Sequence, residues 1–386
     1  MSTMPELADA PTAETASKKT APPTERLTSI DALRGFDMLW ISGGDAAATA
    51  LCQWWGTPEA TRLAEQFEHV EWEGFRFYDL IFPLFLFLVG VVLPFSLRKY
   101  LTGEHPRAHA IWRIGRRVVV LFVFGMIVNG LLNFDPRGVR VAGVLQRIAI
   151  GYGAAALIFL FARVRTQVIL FAVILVGYWA ILRFVPAPES HLAGDYSPMT
   201  NLAGYLDRHY LPGGRLCCYK YGDNEGLLST IPAVATAILG TLAGQWLLSA
   251  RGRWLKALGL AAGGLACLGV GMLWGREFPI IKNLWTSSFV LVAGGWSLLL
   301  LALFYTIIDV LKLRAWSFPF VVIGANAITI YMACRIIPFD EIAGFFLKGA
   351  AAHSGDLGPV MVPLGVIAIE WLFLWHLYRN RIFLRV

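Results

Sequence analysis

The chain has 386 residues, of which 57% are hydrophobic and only 15% charged, and its mean hydropathy is +0.60. Such a composition excludes an ordinary soluble domain, which must keep a charged surface to stay in water. The net charge of +7 falls in short basic clusters between apolar runs instead of on one face, which argues against nucleic acid as a partner and reads as a set of topology signals.

Residues 1–26 are rich in Ala, Pro, Thr, Ser, Glu and Lys, bury too little apolar surface to order the chain, and are expected to form a disordered cytoplasmic tail without the apolar core of a signal peptide. The remainder, 27–386, reads as one membrane domain. Apolar runs predict helices near 28–50, 75–97, 114–133, 142–162, 167–185, 228–249, 255–274, 285–309, 317–338 and 359–378. Only helices or closed barrels satisfy the backbone in hydrocarbon, and these runs are continuous rather than alternating. The expected fold is therefore all-α: a polytopic transmembrane bundle of about ten helices in a lipid bilayer.

Basic residues in 98–117, 163–165, 251–256, 312–314 and 379–385 alternate so as to share one side, and Lys18, Lys19 and Arg26 join them; both termini are predicted to be cytoplasmic. The segments 51–74, 134–141, 186–225, 275–283 and 339–358 then lie outside, rich in Trp, Gly, Pro, Asp and Glu, as suits loops folded over a polar site. No internal repeat is evident, which counts against an inverted-repeat transporter.

A charge at membrane depth is expensive and needs a partner or water. Asp31, Arg34 and Asp37 recur at three-residue intervals, share a helical face and are expected to pair, an ion-paired cytoplasmic anchor being their plainest reading. Asp45 follows Gly43 and Gly44 near the outer end of the same helix, where small residues admit a ligand or another helix; a solvated carboxylate is the bland alternative. His69 sits among Glu68, Glu71 and Glu73 before the second helix. Carboxylates orient a histidine ring as a general base requires, although an outer-loop histidine is more often merely solvated. Asp79 lies one turn into the second helix, and Pro83 is expected to disturb the backbone beside it.

Gln146 and Arg147 open the fourth helix, Asn283 precedes Trp285, and Asn326 interrupts the ninth, where interhelical hydrogen bonding suffices to explain it. Trp residues near helix ends fit an aromatic belt. The adjacent Cys217 and Cys218 and the single Cys52, Cys267 and Cys334 show neither metal spacing nor a disulfide framework, so no metal is expected. Gly-rich nucleotide loops and nucleophile elbows are absent from the sequence.

Taken in order, SIDALRG at 29–35, the stretch His69 to Pro83, VAGVLQR at 141–147, DNEGLLSTIP at 223–232, KNLWTS at 282–287 and the tail Arg379 to Phe383 resemble the heparan-alpha-glucosaminide N-acetyltransferase family, the lysosomal enzyme and its bacterial relatives. The resemblance runs from the first helix to the C-terminus. It implies transfer of acetyl from acetyl-CoA to a terminal glucosamine amine on the far side of a membrane, by a homodimer. His69 falls on the family's catalytic histidine. Asp45 falls where the lysosomal enzyme has an active-site asparagine, a departure that leaves the acceptor and the protonation scheme open. Without that enzyme's large lumenal domain, the chain resembles a bacterial inner-membrane protein, for which a cell-envelope or scavenged amino sugar is a better expected acceptor than heparan sulfate.

On this reading His69 takes a proton from the acceptor as it attacks the thioester, with Asp45 or Asp79 stabilising the imidazolium; an acetyl-histidine intermediate is the alternative. The CoA phosphates call for cations, and Arg34 and Arg147, with Gln146 and Asn283, are the expected donor-binding residues. Arg113, Arg116 and Arg117 are further candidates whose charge the positive-inside rule already explains. The rival from another class is a secondary transporter of a sugar or organic anion, with Asp31, Asp37 and Asp79 relaying protons.

Overall fold

The computed structural model describes residues 27–135, 138–213 and 216–384, and the expected tail 1–26 lies outside them. Its helices are α1 (Thr28–Leu39), α2 (Asp45–Trp55), α3 (Pro58–Ala64), α4 (Phe77–Leu101), α5 (Arg107–Val128), α6 (Val144–Phe161), α7 (Val164–Phe184), α8 (Leu202–Tyr210), α9 (Thr230–Leu248), α10 (Arg253–Trp274), α11 (Ser287–Phe304), α12 (Phe318–Ala325), α13 (Ala327–Ile336), α14 (Phe339–Ala352) and α15 (Gly358–Arg379). A two-residue hairpin, β1 (Cys218–Tyr219) with β2 (Gly222–Asp223), precedes α9.

The protein is an all-α polytopic membrane protein. Among the described residues seven helices are long and apolar enough to cross a bilayer: α4, α6, α7, α9, α10, α11 with its continuation to Val310, and α15. The pair α12 and α13, bent by 63°, makes an eighth if it forms one span. Ten runs were expected, and eight of them meet this test of length and hydropathy. The other two apolar runs do meet helices, but α1 is 12 residues long with three charges, and α5 carries Arg107, Arg113, Arg116 and Arg117. Three outer segments read as loops contain α3, α8 and α14, the first two capped by Thr57 and Asn201, whose side chains accept from Ala60 N and Gly204 N.

Burial separates the spans into two sets. Two thirds or more of the spanning windows of α4 (72%), α6, α9 and α11 (67% each) are buried, against 22% for α7, α10 and α15. The first four form the centre, and the other three turn most of their apolar surface outward, as lipid allows. Without a hydrophobic drive between helices in lipid, close packing depends on small residues at the crossing. A Cβ on Gly90 of α4 would lie 2.1 Å from the Ala237 carbonyl oxygen of α9, and one on Gly240 of α9 2.0 Å from that of Phe87. Any larger residue forces α4 and α9 apart. Pro83 and Pro94 both lie within α4, which runs on as one helix.

The first expected span is broken. Ser42 leaves helical geometry and Gly43 adopts φ 117°, a conformation open to glycine, so α1 ends in a wide turn and Asp45 becomes the first residue of α2. A carboxylate there meets the positive end of the helix dipole. Of the expected charged trio, Asp31 and Arg34 pair at 3.1 Å. Asp37 does not join them: it is wholly buried, and neither carboxylate oxygen has a hydrogen-bond partner among the described residues.

Candidate active site

Asp79 organises the outer end of α4. Its Oδ2 accepts from the backbone N–H of Arg76 at 3.1 Å and of Val70 at 3.4 Å, so the carboxylate in the first turn caps its own helix and folds the preceding loop back onto it. That fold delivers His69. Its Nδ1 lies 2.9 Å from Asp79 Oδ1, its ring packs 4.6 Å from that of Tyr78, and Arg76 donates to its carbonyl at 3.4 Å. Asp79 is 1% exposed whereas the imidazole is half exposed, so a fixed acid stands behind an accessible base.

A second loop completes the group. Gly74 N donates to Ile280 O at 2.9 Å, and Glu73 bridges Ile281 in a short antiparallel pairing. The next residue, Lys282, sets its Nζ 2.8 Å from Nδ1 and 3.0 Å from Nε2 of His69, and 3.4 Å from Asp79 Oδ1. The loop is anchored at Thr286, which accepts from Ile281 N at 3.1 Å and caps α11. Burial lowers the pKa of Lys282 from the usual lysine value, and Asp79 and Glu225 oppose that shift.

His69, Tyr78 and Lys282 face a cavity of about 570 Å³ whose far wall includes Arg140, Glu225 and Arg335. Arg140 Nε donates to Asp223 Oδ2 at 2.8 Å and the same guanidinium pairs with Glu225, tying the 140 segment to the turn after β2. Cys217 and Cys218 also line this wall and are disulfide-bonded to each other. The sequence shows no disulfide framework, and this pair is not one. A link between neighbours closes no loop and so leaves no spacing signature.

A second cavity of about 860 Å³ lies toward the other end of α4. Arg34, Arg117, Arg379 and Arg381 line it, with Asp31. Phe85, Leu145, Ile148 and Ile328 line both cavities, so the wall the two share is apolar. From Tyr78, beside His69, to Ser96 in the second cavity, α4 climbs about 27 Å.

The structure thus brings His69 and Asp79 together and places Arg34 in the opposite cavity. Asp45 is half-buried beside the Tyr78 hydroxyl, one ring removed from His69. Arg147 lines neither cavity: it is fully buried, donating to Ser229 Oγ and to Gly226 O, with its guanidinium 4.8 Å from the Trp285 ring centre. Gln146 is buried with its amide unpartnered among the described residues, and Asn283 is half-buried in the turn before Trp285; neither lines a cavity. Lys282 is the site residue that sequence reasoning misses. Its signal lies in KNLWTS, but a lone lysine at the rim of a span looks like any interfacial lysine until the loop pairing sets it on His69.

Residues 26–132 match a family described as a domain of unknown function (DUF5009). Over 94% of its length the chain is 27% identical to heparan-alpha-glucosaminide N-acetyltransferase of Homo sapiens, and over 83% it is 26% identical to the enzyme of that name from Mus musculus. The chain is a relative of these enzymes. Its motifs, from SIDALRG to the C-terminal tail, lie within a likeness that covers nearly all of it. The chain spans 60% of the length of the human protein and 56% of the mouse one.

Proposed function

We propose that this protein is a membrane acetyltransferase that passes an acetyl group from acetyl-CoA, held in the arginine-lined cavity, to the amine of a glucosamine-type sugar in the cavity of His69. The observation that carries this reading is the wall of Phe85, Leu145, Ile148 and Ile328 that the two cavities share: a donor anchored among arginines on one side has only these apolar side chains between it and a histidine base on the other. Arg34 and Arg117 supply cations for the CoA phosphates. The arginine-lined cavity is cytoplasmic and the His69 cavity external, in keeping with the basic clusters, and both termini are cytoplasmic.

His69 Nε2 removes a proton from the acceptor amine as its lone pair attacks the thioester carbonyl. The CoA thiolate leaves and takes that proton from the imidazolium, while Asp79 stabilises the charge that His69 carries between the two transfers. Attack on the thioester by His69 itself, giving an acetyl-histidine, is the covalent variant of the same site.

Two cavities that share a wall also suit a secondary transporter, and one experiment separates the readings. Protein in sealed vesicles receives acetyl-CoA on the arginine side and glucosamine on the other. Release of CoA with N-acetylation of the sugar is expected, and His69→Ala should abolish both while retaining thermal stability and CoA binding. Sugar movement without CoA release would refute the acetyltransferase, and near-normal turnover in His69→Ala would refute the base.

A further inference from the structure

The mechanism above needs Nε2 of His69 to carry a lone pair at neutral pH, and the carboxylate behind the ring works against that. Asp79, 2.9 Å from Nδ1, favours the imidazolium. A base already protonated cannot accept the acceptor's proton. The local structure contains the opposing charge: Lys282 Nζ is 2.8 Å from Nδ1, 3.0 Å from Nε2 and 3.4 Å from Asp79 Oδ1. Lys282 comes from a different loop, tied to the His69 segment by the short pairing at Glu73 and Ile281 with Gly74 N on Ile280 O.

The hydrogen-bond roles follow from the acceptor that cannot change. Both oxygens of Asp79 are occupied, Oδ2 by two backbone N–H groups and Oδ1 by Nδ1 of His69. Because the carboxylate only accepts, Nδ1 carries the hydrogen and the lone pair sits on Nε2, while Lys282 Nζ, 2.8 Å from Nδ1 and 3.0 Å from Nε2, lies against the ring beside both nitrogens. Resting on the proposed acetyl transfer, we propose that Lys282 is a positioning residue: Asp79 sets the Nδ1–H tautomer, and the ammonium held against both ring nitrogens opposes a second proton, so that the acceptor amine meets a free lone pair at Nε2. The other charged or titratable groups about the ring are Tyr78 on its face and Arg76 at its carbonyl; across the cavity stand Arg335 and the Arg140–Glu225 pair, whose charges largely cancel. Lys282 is the cation in contact with the imidazole nitrogens.

The test reads His69 directly. Diethyl pyrocarbonate acylates only the uncharged imidazole, so its rate on the His69 peptide, followed by mass spectrometry against pH, reports the ring's protonation whether or not the protein turns over. In Lys282→Met the midpoint should rise by about one pH unit or more, a tenfold change in proton affinity, and the acid limb of kcat/KM for CoA release should move with it. Lys282→Arg should leave both near wild type. Lys282→Gln, neutral but able to hydrogen-bond, is expected to follow Lys282→Met and stands in for it should that variant fail to fold. A His69 midpoint unchanged in the folded neutral variants overturns the assignment. A midpoint that shifts in a protein with no acetyl transfer would retain the role of Lys282 and remove the acetyltransferase reading instead.

Discussion

The substitution Asp79→Asn separates the chemistry of the site from its architecture. The carboxylate serves both: Oδ2 holds the N–H groups of Arg76 and Val70, and Oδ1 holds His69 and Lys282. The amide oxygen introduced by Asp79→Asn can still accept from the two backbone donors, so the cap of α4 survives, and loss of the charge-assisted bonds at the other oxygen is expected to lower stability by about 1–2 kcal/mol. The new NH2 group then faces His69 and can only donate. That reverses the ring: Nδ1 becomes the acceptor, Nε2 carries the hydrogen, and the nitrogen facing the cavity is no longer a base. Activity should fall by about two to four orders of magnitude. Against a folding stability of about 5–15 kcal/mol, the loss expected leaves the protein almost entirely folded, so misfolding cannot account for such a drop. Turnover of CoA and thermal unfolding, measured on one preparation in detergent, decide the matter. Asp79→Asn with turnover within about threefold of wild type would refute the role of the carboxylate, whatever its stability.

Asp45 touches Tyr78 rather than His69, so Asp45→Asn, which keeps a polar group at the start of α2, should retain measurable transfer while Asp45→Leu loses it; equal activity in the two removes Asp45 from the site. Asp207 of α8 accepts from Leu227 N at 2.9 Å and Asp223 N at 3.2 Å, and burial pushes its carboxyl up to about 6 from 3.8. A raised native pKa stabilises below the unfolded value and that stability is lost as pH rises through the native one, so thermal stability should decline between about pH 4 and 6 by up to about 3 kcal/mol. Asp207→Asn should flatten that decline, and an unchanged slope would show that other groups cause it.

Apolar runs placed every spanning helix because length and hydropathy are local properties. Where a run is interrupted was less legible, because hydropathy says little about whether the helix continues: Gly43 divides the first run, and Asn326 marks the bend between α12 and α13. His69 and Asp79 were legible since ten residues of one loop and helix start carry both, and a carboxylate in the first turn of a helix faces back toward the loop before it. Lys282 was not, being brought from 213 residues away by the pairing of Glu73 with Ile281. Arg147 misled in the opposite direction. Its position at a helix end suggested a phosphate ligand, yet the turn from Gly226 to Ser229 folds over it, and the indole of Trp285 covers the guanidinium face. Burial of that kind depends on tertiary packing, which no local pattern reports.

The shared wall gives the arrangement its energetic sense. A CoA molecule carries several negative charges, and each would be penalised by several kcal/mol in hydrocarbon. Among Arg34, Arg117, Arg379 and Arg381 those charges stay at one end of the bundle. Phe85, Leu145, Ile148 and Ile328, shared by the two cavities, oppose the passage of ions and water far more than that of a neutral acyl group. On the proposed transfer, only the part of the donor that has no charge needs to pass, and the proton would be handled on the far side by His69 and Asp79. A transporter faces the opposite requirement, since its whole polar substrate must pass the same shared wall, whose four side chains are all apolar. The geometry therefore favours moving a group over moving a molecule, which is why release of CoA, and not flux of sugar, is the measurement on which the functional reading rests.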